Sequence, residues 1–87
     1  MTLRLHPDVA STDTDDGMVL LHQRTGRYWQ LNPTGSHVLR SLLEGLSTDQ
    51  IATALADRHR IDPQLARRDV LRVVEQLGSA RLLEGTP

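Results

Sequence analysis

The sequence predicts an α+β domain in which three short strands form an antiparallel sheet and three helices follow. Three observations carry this. Met18–Leu31 reads as strand, Gly-containing turn and strand; Asn32-Pro33 and Asp62-Pro63 are helix starts; and apolar residues recur at helical spacing from Val38 onward. With 87 residues, 38% of them apolar, the chain suits one compact domain over residues 1–87 and is too short to divide into two cores.

Thr2–His6 alternates polar and apolar residues, as a half-buried strand does, and Pro7 ends it. Asp8–Asp16 collects Asp, Ser and Thr with little to bury, so a solvated loop is expected there. Met18–Gln23 and Arg27–Leu31 flank Arg24-Thr25-Gly26 as the arms of a hairpin. In the second arm a period of two puts Arg27, Trp29 and Leu31 on one face and Tyr28 and Gln30 on the other, with Leu31 marking the core side.

Asn32 caps a first helix running to about Glu44, with Val38, Leu39, Leu42 and Leu43 on its buried stripe and Gly45 as its stop. Ser47 caps a second, which buries Ile51, Ala52, Leu55 and Ala56 and ends near Arg58–Arg60. A third starts at Asp62-Pro63, carries Ala66, Val70, Val73, Val74 and Leu77 at i, i+4, i+7, i+8 and i+11, and is expected to brake at Gly78. Leu82 and Leu83 form an apolar tail that folds back on the core, and Glu84–Pro87 is expected to fray.

Composition narrows the function classes. The chain has no cysteine, which removes disulfides, thiol chemistry and Cys-based metal sites and fits a reducing cytoplasm. No apolar run approaches the roughly 20 residues of a membrane span, and Met1–Val9 lacks the pattern of a secretory signal. A net charge of −1 gives no global pull toward nucleic acid. His6, His22, His37 and His59 show no metal-ligand spacing, and Ser36 and His37 diverge on their helix, so neither a metal, a cofactor nor a catalytic residue is expected. Asp13, Asp15 and Asp16 lack the glycine and distal glutamate of a calcium loop and read as solubilising.

Asp16-Gly17, Thr25-Gly26-Arg27-Tyr28-Trp29, Leu31-Asn32-Pro33-Thr34-Gly35, Ile51-Ala52 and Asp69-Val70, in that order, resemble the PqqD-like family of leader-peptide recognition elements. The likeness spans nearly the whole chain and is strongest for the discrete members that serve lasso-peptide biosynthesis. It implies a winged helix-turn-helix-like fold in which the leader of a ribosomally made precursor lies antiparallel along Arg27–Leu31, in a groove against the third helix. It also implies a non-catalytic adaptor that delivers the leader to a peptidase and a cyclase. The chain departs from the family pattern at Arg81, where Gly commonly precedes the final Leu pair.

An open strand edge can receive an extended peptide whatever its family, because its unpaired N–H and C=O groups supply main-chain bonds while pockets sort alternate side chains. The expected peptide site therefore joins Arg27, Tyr28, Trp29, Gln30 and Leu31 to the third helix. There Asp69, Arg72 and Gln76 share a polar flank at i, i+3 and i+7, Val73 and Leu77 serve as both core and pocket wall, and Val70 follows from the resemblance. The plain alternative for Arg72 and Gln76 is a solvated helix face, and for Tyr28 and Trp29 ordinary sheet packing. A charge at Val73 or Leu77 is expected to weaken binding while the fold survives. Arg67, Arg68 and Arg72 support a different reading, a winged-helix DNA-binding regulator. A third is a structural subunit whose strand edge is permanently filled by a partner protein.

Overall fold

The computed structural model describes residues 3–85, and its elements are β1 (Leu3–Leu5), β2 (Val9–Thr14), β3 (Gly17–His22), β4 (Tyr28–Leu31), α1 (Pro33–Leu43), α2 (Thr48–His59), α3 (Pro63–Ser79) and β5 (Leu83–Gly85). Thr2, the expected start of the first strand, and Thr86–Pro87 of the expected frayed end lie outside the described residues. The α+β class with three helices is as predicted, but the strands are arranged differently. β2, β3 and β4 form a three-stranded antiparallel sheet in that order, while β1 pairs with β5 in a separate two-stranded ribbon.

Two expectations are thereby corrected. Val9–Thr14, within the expected loop, is a strand, paired from Val9↔His22 to Thr14↔Gly17. It buries Val9 and leaves Ser11–Thr14 exposed, so its sequence carries no alternation of apolar and polar residues. The ladder to β3 holds it, helped by an ion pair from Arg40 of α1 to Asp13. Glu84 and Gly85, expected to fray, instead pair with Arg4 and Leu3, and the Arg4 guanidinium approaches the Glu84 carboxylate at 3.4 Å.

Helix starts follow the caps. Asn32 accepts from Gly35 N–H at 2.7 Å; Ser47 and Gln50 close a reciprocal capping box at 3.1 and 2.8 Å; Asp62 accepts from Gln64 N–H at 2.8 Å. The helix ends share one device. In α1, Leu46 N–H reaches Ser41 C=O and Gly45 N–H reaches Leu42 C=O, with Gly45 left-handed at φ 92. At the end of α3, Leu82 N–H bonds Leu77 C=O and Arg81 N–H bonds Gly78 C=O, both at 3.0 Å, with Arg81 left-handed at φ 58. α2 ends likewise at Arg60, φ 52, with Ile61 N–H on Ala56 C=O. The brake on α3 is therefore Arg81. Gly78, expected in that role, is a helical residue one turn earlier.

The core has two lobes. One lies among the helices, around Val38, Leu42, Ile51, Leu55, Ala66 and Val70. The other lies between the three-stranded sheet, α1 and the C-terminal end of α3, where Met18 and Leu20 of β3 meet Leu39 of α1, Leu77 of α3 and Leu82, with Trp29 and Leu31 packed against them. Val73 and Leu83 touch both. Gly17 fits where no other residue does. Its φ is +145, and a Cβ there would lie 1.9 Å from the Leu31 carbonyl oxygen, so glycine lets β3 begin against the end of β4. Among the described residues no helix is long and apolar enough to cross a membrane.

Candidate functional site

β4 is positioned by the hairpin before it and the Asn32 cap after it, and it lies at the end of the strand order. Its register against β3 runs Leu21↔Tyr28, Leu20↔Trp29, Val19↔Gln30 and Met18↔Leu31. One step back, His22 N–H donates to Arg27 C=O at 2.9 Å, which makes His22 and Arg27 a hydrogen-bonded pair. Such pairs alternate along an antiparallel ladder. Trp29 and Leu31 therefore turn their N–H and C=O groups toward β3, while Tyr28 and Gln30 turn theirs to the open side. Side chains alternate in the other plane: Trp29 and Leu31 pack on the core, and Tyr28 stands 68% exposed.

On the open side of β4 a groove of about 880 Å³ separates the strand from α3. Its strand wall is Arg27, Tyr28, Trp29, Gln30 and Leu31; its helix wall includes Arg72, Val73, Gln76 and Leu77. Nine of the eleven residues expected at the site thus meet around one cleft. Asp69 lies beside it, in an adjoining recess of about 350 Å³ that shares Gln30, Leu31, Arg72, Val73 and Gln76. Val70 lines neither space; it lies on the same stripe as Leu77 but two turns earlier, where α3 packs on the other helices, and it is fully buried in that lobe of the core. Leu77 is 3% exposed, and its carbonyl anchors the turn that ends α3, so a charge there strikes the fold as well as the groove. Val73, half-buried, is the cleaner probe of the two.

Other wall residues were not singled out from the sequence. Glu75 and Ser79 lie at i+3 and i+7 from Arg72, and extending the polar flank by one more turn would have found them. Ala80 and Leu82 enter through the Arg81 turn, which helical periodicity does not describe. The fold also brings two histidines together. The His6 and His22 ring centroids are 5.3 Å apart, and His6 Nε2 is 3.8 Å from a Glu84 oxygen. Among the described residues, no group of three or more His, Asp or Glu side chains is arranged to hold a metal ion.

The fold that carries this edge and cleft is shared with solved structures. The family model of coenzyme PQQ synthesis protein D (PqqD) matches residues 17–83. The chain belongs to the PqqD family. A lasso peptide synthetase B1 complexed with the leader peptide is 34% identical, with a TM-score of 0.90 over 98% of this chain and 100% of its own. TbiB1 in complex with the TbiA(beta) leader peptide is 32% identical, with a TM-score of 0.83 over 97% of this chain and 98% of its own. The PqqD part of Methylobacterium extorquens PqqCD, a stand-alone recognition element for ribosomally synthesised and post-translationally modified peptides, is 28% identical, with a TM-score of 0.74 over 95% of this chain and 88% of its own. Among curated proteins none matches the chain. Within the PqqD family, then, this chain is similar over nearly its whole length to two domains that were solved with a leader peptide bound.

Proposed function

We propose that this protein is a leader-peptide recognition element that adds the leader of a ribosomally made precursor, of the lasso-peptide type, as a further strand on β4. The observation that carries this is the open edge: Tyr28 and Gln30 turn unpaired main-chain groups into a cleft walled by α3. The likeness to a lasso peptide synthetase B1 and to TbiB1, each solved with a leader peptide, supports the choice of ligand. An all-antiparallel sheet favours an antiparallel addition, in which the leader enters beside Leu31 and leaves beside Arg27. Arg27, Trp29, Leu31, Arg72, Val73, Gln76 and Leu77 then shape the pockets for alternate leader side chains, with Asp69 at the entry end.

In this reading the winged helix-turn-helix-like domain, residues 1–87, is a non-catalytic adaptor. It holds the leader for a peptidase and a cyclase in the cytoplasm, where a chain without cysteine loses nothing to the reducing conditions. Solved neighbours that carry peptides weigh against the DNA-binding alternative, as does a net charge of −1.

Trp29 is the chain's single tryptophan and it lines the cleft, so binding carries its own reporter. Titration with the cognate precursor leader is expected to shift Trp29 emission in a saturable way, and Val73→Asp is expected to weaken that response by about tenfold or more. A folded protein whose Trp29 signal ignores the leader would refute the proposal.

A further inference from the structure

The three arginines of α3 remain to be explained. Arg72 walls the leader cleft, but Arg67 and Arg68 do not; they face a second, shallow groove of about 590 Å³ along the solvent side of the helix. Leu71 lies in this groove at 46% exposure, one helical turn beyond Arg67 and Arg68. An exposed leucine alone is ordinary. A leucine set among three guanidinium groups, with the Glu75 carboxylate at one end of the groove, is a mixed patch whose net positive charge calls for an acidic complement.

The charges there are free to be recruited. Among the described residues Arg68 and Arg72 form no ion pair, and Arg67 reaches Asp49 only at 3.6 Å between side chains that are both mostly exposed, a contact of little strength. Guanidinium forks suit carboxylates in bidentate geometry, and arginine beside an apolar anchor is typical of residues that dominate protein interfaces. Duplex DNA fits less well. Phosphates would leave Leu71 uncovered, and tight DNA binding rests on more phosphate contacts than three arginines supply.

The groove is also continuous with the leader cleft, since Arg72 and Glu75 wall both. A protein docked on this side would lie one helix width, about 10 Å, from the bound leader. We infer that the face of α3 formed by Arg67, Arg68, Leu71 and Arg72 docks the enzyme that acts on the bound leader, through a surface of that enzyme carrying carboxylates around an apolar side chain. This rests on the leader-binding reading and adds to it where the leader's consumer sits.

The test uses the full chain with the peptidase that cleaves its cognate leader, both purified, and the variants Arg68→Glu and Leu71→Asp, which lie outside the leader cleft. Folding is checked by circular dichroism, leader binding by Trp29 emission, and peptidase association by sedimentation. Both variants are expected to bind leader within about twofold of the parent and to lose peptidase affinity by about tenfold or more, with the Arg68→Glu loss restored by a Glu→Arg change on the peptidase. Unchanged peptidase affinity in both variants, or no association with the parent chain, would overturn the inference. Retardation of duplex DNA that depends on Arg68 would overturn it in favour of nucleic acid. A parent chain that binds the peptidase through Arg68 yet ignores the leader would refute leader binding and leave this surface standing.

Discussion

Replacing Gln30 by proline separates the open edge of β4 from the fold that carries it. The Gln30 N–H points away from β3, so proline at this position removes no ladder bond, and an edge strand tolerates proline where the missing N–H faces outward. Strain from fixing φ is expected to cost about 1 kcal/mol, or roughly 4–8 °C in Tm for a domain of this size. Leader binding should suffer more. One of the two outward N–H groups is gone, the leader carbonyl it served is left unpaired at a cost of about 1–3 kcal/mol, and the ring occupies the approach. Affinity is therefore expected to fall roughly 5- to 150-fold, read by Trp29 emission or calorimetry. Gln30→Ala keeps the backbone donor and should stay within about threefold of the parent. Parent-like affinity in folded Gln30→Pro would refute strand addition at this edge. Loss of the fold would refute the assignment of the Gln30 N–H to the open side.

Arg81→Gly relieves a left-handed backbone at a non-glycine residue and is expected to stabilise by about 1 kcal/mol, raising Tm by roughly 4–8 °C in thermal denaturation. Gly17→Ala forces a Cβ onto the Leu31 carbonyl at a φ that side chains rarely adopt, so a loss of roughly 3 kcal/mol is expected in urea unfolding, with β4 displaced.

The helices were legible in the sequence because their starts are chemical. Asn32, Ser47 and Asp62 each bond a backbone N–H of the first turn, and no tertiary contact is needed to read that. The end of α3 was misread for a related reason. Glycine is the usual left-handed residue, and nothing in the letters Gly78-Ser79-Ala80-Arg81 reveals that arginine takes that conformation so that Leu82 can reach the core beside Leu77. β2 and β5 were missed because their stability is almost entirely non-local. A strand that buries little besides Val9 has no pattern of its own and exists through the register of β3, just as Leu83–Gly85 exists through Leu3–Leu5.

The site divides in the same way. Alternation in Arg27–Leu31 put Trp29 and Leu31 on the core side, where they pack, while Arg27, assigned to the same face, is exposed; helical spacing grouped Arg72, Val73, Gln76 and Leu77 on the side that meets the cleft. That the edge is open depends on strand order, with β2 rather than β1 completing the sheet, and no local feature of β4 encodes it. Val70 shows the limit of carrying a role by resemblance. Its position in the family pattern is also satisfied by a core valine, and here it is one.

Amide hydrogen exchange in the labelled protein, with and without the leader, tests strand addition most directly. In the free protein Trp29 and Leu31 amides should be protected by β3 while Tyr28 and Gln30 exchange freely. With leader bound, Tyr28 and Gln30 should slow by about tenfold or more as their outward N–H groups are paired. Continued fast exchange at both residues under saturating leader would contradict the account.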